Sequence, residues 1–322
     1  MPNSSALENR VFKRSMRLMG NRFEISVVST DEAWANHQID RAIAEIQRIE
    51  SLLTTFSEDS QTNLINRNAG VQPVAVDREV LDLIRRSIRI SEITQGAFDI
   101  TYGSIDKRFW NFDTSMTALP HAQTAKNAVR LINYRNIEIN TEGLSRKLGE
   151  GTVFLKNEGM RIGFGGIGKG YAAERAKFIL KSNGVTSGIV NASGDLTTWG
   201  TQPDGSPWTI GVADPDRQNS NFSFLEVGDM AVATSGNYEK YAVINGKRYS
   251  HTIDPRTGFP VSGIKSVTIL CPNAEIADAM ATPVMVMGVH VGLHLVNQMQ
   301  HIECIIIDDN NKIFTSKNIN LI

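Results

Sequence analysis

The stretch from Asp229 to Val261, DMAVATSGNYEKYAVINGKRYSHTIDPRTGFPV, constrains the fold more than any other. It carries Thr234, Ser235, Gly236, Arg248, His251, Asp254 and Arg256 among turn-forming residues, so no single long element can contain it. Met230-Ala231-Val232-Ala233 alternates as a strand does and runs into a small-residue loop, Thr-Ser-Gly. Tyr238 to Ile244 alternates again, Asn245-Gly246 is the strongest short hairpin signal, and Lys247 to Ile253 reads as the partner strand. Asp254-Pro255-Arg256-Thr257-Gly258 closes the unit, because Pro presets one turn torsion and Gly relieves another. The hairpin therefore delivers His251 and Asp254 to one end of a sheet, a placement that favours chemistry over packing.

A chain of 322 residues that is 41% hydrophobic can bury a large core and exceeds the usual length of one domain. One large two-lobed domain, or two intimate ones, is expected. A formal net charge of −1 supplies no basic field and disfavours nucleic acid as a partner. Cys271 and Cys304 are far apart and lack metal-ligand spacing, so buried free thiols are expected. The start, MPNSSALENRVFKRSMRLMG, shows neither an apolar signal run nor a lipid-attachment cysteine, and no stretch is long enough to cross a bilayer. As written, the chain reads as cytoplasmic; a removed leader would make it periplasmic.

Met16 to Thr30 alternates around Gly20 and reads as a first strand or hairpin, preceded by a flexible segment over 1–15. Asp31 to Leu53 is an amphipathic helix, with Ala42, Ile46, Ile49 and Leu53 near helical spacing. FSEDSQTNLINRNAG, Phe56 to Gly70, is polar and turn-rich: a surface loop, or equally a loop that faces a ligand. Asp77 to Thr94 is a second helix and leads into Ala97-Phe98-Asp99-Ile100-Thr101. Residues 103–135 read as loop with one helix near Ala122 to Leu131, and Asn136 to Ile162 as strands around a Gly-rich turn.

GFGGIGKG, Gly163 to Gly170, follows a strand signal (MRIGF) and opens a helix. Gly163-x-Gly165-x-x-Gly168 matches the dinucleotide fingerprint, and the spacing to Gly168-Lys169 nearly matches a phosphate-cradling loop. The second reading lacks the Ser or Thr that must hold magnesium, because Gly170 stands there. The first lacks a downstream acidic residue and a repeated βαβ pattern. What remains is backbone free to approach a ligand, and a helix N-terminus with Lys169 that favours anionic oxygen. Glycines that merely permit close helix packing are the plain alternative.

Gly188 to Gly200 is a buried strand leading to a polar turn with Asn191, Ser193 and Asp195, and Trp208 to Asp216 repeats that pattern. Lys265 to Leu270 is an apolar strand, and Asn273 caps a helix with Glu275 in its first turn. Asp278 and Thr282 lie four apart on one helix face, a carboxylate and a hydroxyl that suit magnesium. Pro283 would loosen the helix and free carbonyls such as that of Ala281. A salt bridge at Asp278 is the competing reading. His290 and His294 lack the glutamate of a zinc-protease helix and read as surface residues, and Ile302 to Asp308 reads as the last core strand.

Taken together, LMGNRFEISV, SEDSQTNLIN, GAFDIT, GGIGKGYAAERA, NASGDL, VATSGNYEKY, RYSHTIDPRTGFPV and ADAMATPVMVMG resemble the ApbE family of FAD:protein FMN transferases. The pieces occur in the family's order across nearly the whole chain. The resemblance implies a T-fold-like α+β domain, two-lobed, in which a mixed, largely antiparallel sheet and flanking helices enclose FAD. By motif position, Met19, Phe56, Ala97, Phe98, Asp99 and Gly163 would line the nucleotide site, with Phe56 stacking on the cofactor. Lys169 would face the pyrophosphate, His251 and Thr252 would sit near the flavin side, and Thr234 and Ser235 would also bind the cofactor. Magnesium would be held by Asp278, Thr282 and the main-chain oxygens of Gly166 and Ala281. One departure is visible: Gly163 stands where the family usually places an aspartate that contacts the nucleotide.

The implied chemistry is attack by a Thr or Ser hydroxyl of an acceptor redox protein on the flavin-side phosphorus, with release of AMP. Such transfer needs positioning and charge neutralisation more than covalent catalysis. Lys169 and magnesium would supply positive charge, His251 would take the hydroxyl proton, and Asp254 would orient His251. The alternatives are a magnesium-dependent FAD pyrophosphatase and a flavin carrier without catalysis.

Overall fold

Two-residue alternation, used on both faces of one sheet, organises the chain. The computed structural model describes residues 8–106, 116–141, 151–213, 221–237 and 241–319. They begin with β1 (Arg10–Leu18), β2 (Asn21–Ser29), α1 (Glu32–Leu53), α2 (Gln61–Arg67), β3 (Val74–Val76), α3 (Arg78–Ile93), a 3-10 turn (Ile100–Ser104), α4 (Ala122–Ala128), β4 (Ile137–Asn140) and β5 (Gly151–Leu155). Next come α5 (Gly168–Ser182), β6 (Gly188–Ala192), β7 (Asp195–Trp199), β8 (Trp208–Ala213), β9 (Asn221–Val227), β10 (Ala231–Gly236), β11 (Tyr241–Ile244) and β12 (Lys247–Ser250). β13 (Ile264–Cys271), α6 (Ala274–Met287), α7 (Val289–Val296), β14 (Glu303–Asp308) and β15 (Ile313–Thr315) complete them.

The main sheet has the order β1-β2-β6-β7-β10-β13-β14-β15, and every pairing in it is antiparallel. This is an α+β architecture, and among the described residues no strands pair as the parallel βαβ units of a dinucleotide fold do. Adjacent residues go to opposite cores, as period two requires. Val27, Ala231, Ala233, Ile269 and Cys304 join the helices α1, α5 and α6 in one cluster. Val28, Val232, Leu270 and Ile305 meet Trp208, Ile210 and Val227 of the β8–β9 hairpin on the other side. The first cluster also takes in Val76, Val153 and Leu155 of the small β3-β5-β4 sheet, so one core spans both sheets.

Local signals decide the element ends. Asp31 accepts the Trp34 N–H at 3.0 Å and starts α1; Asn273 accepts that of Ile276 at 3.1 Å and starts α6. Asn245 and Gly246 take φ of 52° and 76°, the left-handed pair that a tight hairpin turn needs. Both cysteines are buried, and burial pushes their thiols up, Cys271 to about 11 and Cys304 to about 12. Among the described residues, no helix is long and apolar enough to cross a membrane.

Several expectations are corrected. β1 begins at Arg10, so residues 10–15 are rungs of the sheet, paired with β2. The polar stretch after Phe56 is no surface loop: it contains α2, and Ser60, Thr62, Asn63 and Asn66 are buried. Thr234-Ser235-Gly236 is strand, paired with Thr268, Val267 and Ser266 of β13, and not a loop. Met160–Phe164 joins no ladder. Instead the Asn66 amide imitates a partner strand, donating to Ile162 O at 3.0 Å and accepting its N–H at 2.7 Å. β15 follows the strand expected to be last. Tyr238–Lys240, Asp214–Asp216 and the Gly-rich turn at 142–150 lie outside the described residues.

Helix α5 packs closely against α6 at Gly170. A Cβ on Gly170 would lie 2.1 Å from the Ala274 carbonyl oxygen and 2.7 Å from Asp278 Cβ. No Ser or Thr could stand there, which removes the phosphate-loop reading on steric grounds. Gly170→Ala is expected to lower stability by about 1–3 kcal/mol, the usual cost of overpacking. Urea unfolding at unchanged m-value would register it as a lower midpoint.

Candidate active site

The glycine loop divides between two jobs. Gly168 and Gly170 face protein: a Cβ at 168 would stand 3.3 Å from Phe164 Cβ, and 170 abuts α6. Gly163, Gly165 and Gly166 face open space, the nearest atoms to a built Cβ being Thr55 Cγ2 at 3.9 Å and Phe98 Cε2 at 3.6 Å. These three border a cavity of about 370 Å³, within the ordinary range for a small-molecule site. Its other walls are Ala97 to Ile100, Tyr102 and Gly103, Ser235 on β10, His251 to Ile253 and Pro255 after β12, and Thr282 on α6.

Of the residues expected in the site, the cavity collects Ala97, Phe98, Asp99, Gly163, Gly166, Ser235, His251, Thr252 and Thr282. Met19 lies apart from it, its Cε beside the start of α5, 3.6 Å from a Cβ built at Gly168. Phe56 is 98% exposed. Thr234 points its hydroxyl at Thr268 Oγ1, 2.9 Å away. The Asp99 carboxylate is spent internally: it accepts Thr101 N–H at 2.8 Å, Thr101 Oγ1 at 2.6 Å and Tyr134 N–H at 2.8 Å. Burial raises its pKa despite those bonds. Asp254, expected to orient His251, has both carboxylate oxygens on Arg256, at 2.9 Å each, and so serves its own turn.

Behind Ser235 and Thr282 lies a buried charge cluster. Lys169 Nζ binds Asp195 Oδ2 and stands 3.5 Å from Asp278 Oδ1. Both carboxylate side chains are only 7% exposed. Asp278 Oδ2 accepts the Gly170 N–H at 2.9 Å, so a residue of α6 caps the N-terminus of α5, whose own cap position (Ile167) offers no side-chain bond. A carboxylate is stabilised at such a terminus. Burial alone would lower Lys169, but Asp278 and Asp195 hold it above the usual ammonium value. Asp195 goes the other way: burial and the Asp278 charge raise it to about 7, against the pull of Lys169 and the Thr234 N–H. Two carboxylates thus share one ammonium.

That excess of negative charge fits a hard cation. Magnesium takes oxygen ligands and keeps water or phosphate in the rest of its shell. The Asp278 carboxylate and Thr282 hydroxyl share a face of α6, Ser235 Oγ lies 3.4 Å from Thr282 Oγ1, and Gly166 borders the cavity. Among the described residues no group of three or more His, Cys, Asp or Glu could hold a metal, so a cation here would need hydroxyl and main-chain oxygens beside the Asp278 carboxylate. One detail is corrected: α6 runs unbroken through Pro283, and the carbonyl deprived of its helical donor is that of Ala279, four residues earlier. Ala281 could contribute only the second lone pair of its carbonyl.

Sequence reasoning missed the role of Asp195, visible only as part of a polar turn. Ser193 and Gly194, at φ of 58° and 101°, fold that turn tightly and set Asp195 at the first position of β7, facing Lys169. Tyr102 was also missed; it lines the cavity, and its hydroxyl takes the Ile253 N–H.

Because the folded-state value of Asp195 exceeds its ordinary 3.8, the folded protein binds more protons than the unfolded chain between about pH 4 and 7. Stability from this group therefore falls as pH rises through that window. Asp195→Asn, which cannot ionise, is expected to remove that slope, as urea midpoints at a series of pH values would reveal.

Residues 19–306 match the sequence profile of the ApbE family. A Klebsiella pneumoniae protein named FAD:protein FMN transferase is 31% identical over 312 residues, covering 96% of this chain and 93% of its own. A Vibrio cholerae protein of the same name is 31% identical over 310 residues, covering 92% and 88%. Among solved structures, the Thermotoga maritima ApbE protein superposes with a TM-score of 0.81 at 30% identity, covering 96% of this chain and 97% of its own. The apo flavinyl transferase ApbE of Pseudomonas stutzeri gives 0.82 at 25% identity, with 97% and 96% covered.

Proposed function

The chain belongs to the ApbE family, and we propose that it transfers FMN from FAD to a protein acceptor, with magnesium as the metal and a Thr or Ser hydroxyl as the acceptor group. The observation that carries the reading is a cavity walled by an open glycine loop and an exposed histidine, whose wall residue Thr282 lies one turn of α6 from Asp278 and its ion-paired partners Lys169 and Asp195. The loop lets the FAD pyrophosphate approach backbone, and the uncompensated carboxylate charge draws a cation to its oxygens. In the transfer, the acceptor oxygen forms a bond to the flavin-side phosphorus, the pyrophosphate P–O bond breaks, and AMP departs with the electron pair. His251, exposed at the mouth, accepts the hydroxyl proton. Lys169, its ammonium held charged by two carboxylates, balances charge at the departing phosphate. Magnesium, held by Asp278, Thr282 and the main-chain oxygens of Gly166 and Ala281, would supply further neutralisation of the phosphate oxygens.

Phe56 fits this reading as an aromatic without a protein partner, available to cover a bound ring system. Gly163 leaves room for the side chain that the family usually has there, since a Cβ would touch only Thr55.

The test is incubation with FAD, magnesium and an acceptor domain bearing a Thr or Ser in a flavinylation-type segment. AMP release with flavin fluorescence on the acceptor band under denaturing conditions is expected. AMP with free FMN would leave a pyrophosphatase, and retained FAD without AMP a carrier. His251→Ala should keep FAD binding and lose ~10²–10⁴-fold in transfer. Asp278→Asn, which retains an acceptor for the Gly170 N–H, should abolish metal-dependent AMP release with the circular dichroism spectrum intact. Full turnover by that variant would sink the metal assignment.

A further inference from the structure

On the flank of the α5–α6 contact lies a chain of paired charges that the chemistry above does not use. Arg86 of α3 forks onto Glu275, Nε to Oε1 at 2.6 Å and Nη2 to Oε2 at 3.0 Å. Its guanidinium also lies 5.7 Å from the centroid of the Tyr171 ring on α5. The Tyr171 hydroxyl donates to Glu79, which is gripped by Arg48 at 2.6 and 2.9 Å. Arg48 in turn holds Glu45, which also takes Arg175 at 3.0 Å. Four helices are thus tied together, and the tie ends on α6.

We infer that Arg86 is a positioning residue for the Asp278–Lys169 pair. Glu275 is one turn before Asp278, and Tyr171 is two residues after Lys169, so Arg86 touches both helices at the level of the site. Gly170 and Ala274 leave no slack between the helices, so any slide or rotation of α6 appears directly at Asp278. The Asp278 bond to the Gly170 N–H fixes one side of that carboxylate, and Arg86 fixes the helix that carries it. A planar fork suits this work, because it sets direction as well as charge. Glu275 keeps only 8% of its side chain exposed, which makes the pair tighter than the exposed Arg89–Glu92 pair on the same helix.

The inference rests on the proposed reading in taking Asp278 as a cation ligand, and the experiment separates the two. Manganese(II) binding to the whole protein, followed by electron paramagnetic resonance, gives an affinity without turnover. AMP release gives kcat, KM for FAD and the metal half-saturation point. Partners that orient a metal ligand typically contribute about tenfold or more in metal affinity, so Arg86→Ala should weaken manganese binding by about that factor. KM for FAD should stay within about twofold of the parent while kcat falls, the pattern of a lost orientation and not of lost substrate binding. Arg86→Lys, which keeps charge but not the fork, should restore part of the affinity, and Glu275→Gln should match Arg86→Ala with no additive loss in the double variant. Arg89→Ala is the control and should behave as the parent. A lower urea midpoint for Arg86→Ala with parental manganese affinity and metal half-saturation would make the residue merely structural and overturn the inference. If Arg86→Ala does not fold, Arg86→Lys and Glu275→Gln decide by the same readout. A parent that releases no AMP removes the functional reading, while the manganese titration still judges the role of Arg86.

Discussion

The contact on which the rest depends is that between Gly170 and the first turns of α6. It is a steric fact first: no side chain can stand between the two helices. Its electrostatic result is that an α6 carboxylate ends up over the uncapped start of α5. Fixed helix dipole, ammonium and carboxylates are then arranged before any ligand arrives, which is what a phosphoryl-transfer site requires, since its barrier is lowered mainly by preset charge. The sheet contributes by holding β7 and β10 side by side, so that Asp195 and Ser235 approach the cluster from below while α6 supplies Thr282.

The cluster is costly to build, since burying charge is unfavourable unless it is paired. Lys169 with two carboxylates is a deliberate mismatch, one negative charge in excess. Burial first, and the neighbouring Asp278 charge second, raise Asp195 to about 7. A binding module with no metal at the pyrophosphate would gain nothing from it, and an apolar or balanced cluster would be the more stable solution.

Much of this was legible in the chain. Strong local chemistry announced the Asn245-Gly246 turn, the Asn273 cap, the α1 stripe and the Asp278–Thr282 face. What escaped was non-local. Asn66 can be recognised as a surrogate strand only once Ile162 is seen beside it, ninety-six residues away. Thr234-Ser235-Gly236 looked like a loop because small residues weaken strand propensity, and pairing with β13 overrode it. Asp254 looked like a partner for His251 because it is three residues distant; what the turn adds is that its carboxylate holds Arg256, two residues on. For the same reason, the role of Asp195 could not be read from a polar turn: its meaning lies in Lys169, twenty-six residues earlier.

Among the described residues the β11–β12 ribbon is hydrogen-bonded into none of the larger sheets, and a two-stranded ribbon is marginal alone. It is anchored through Ser250 N–H to Val261 O at 2.7 Å and Val261 N–H to Thr252 O at 2.9 Å. His251 and the charge cluster therefore belong to regions of unequal local stability: His251 is exposed beside the ribbon, whereas Asp195 and Asp278 are buried. Amide exchange would open the first while the second stays closed. A local opening of the ribbon would displace His251 while the charge cluster and the core around it keep their place.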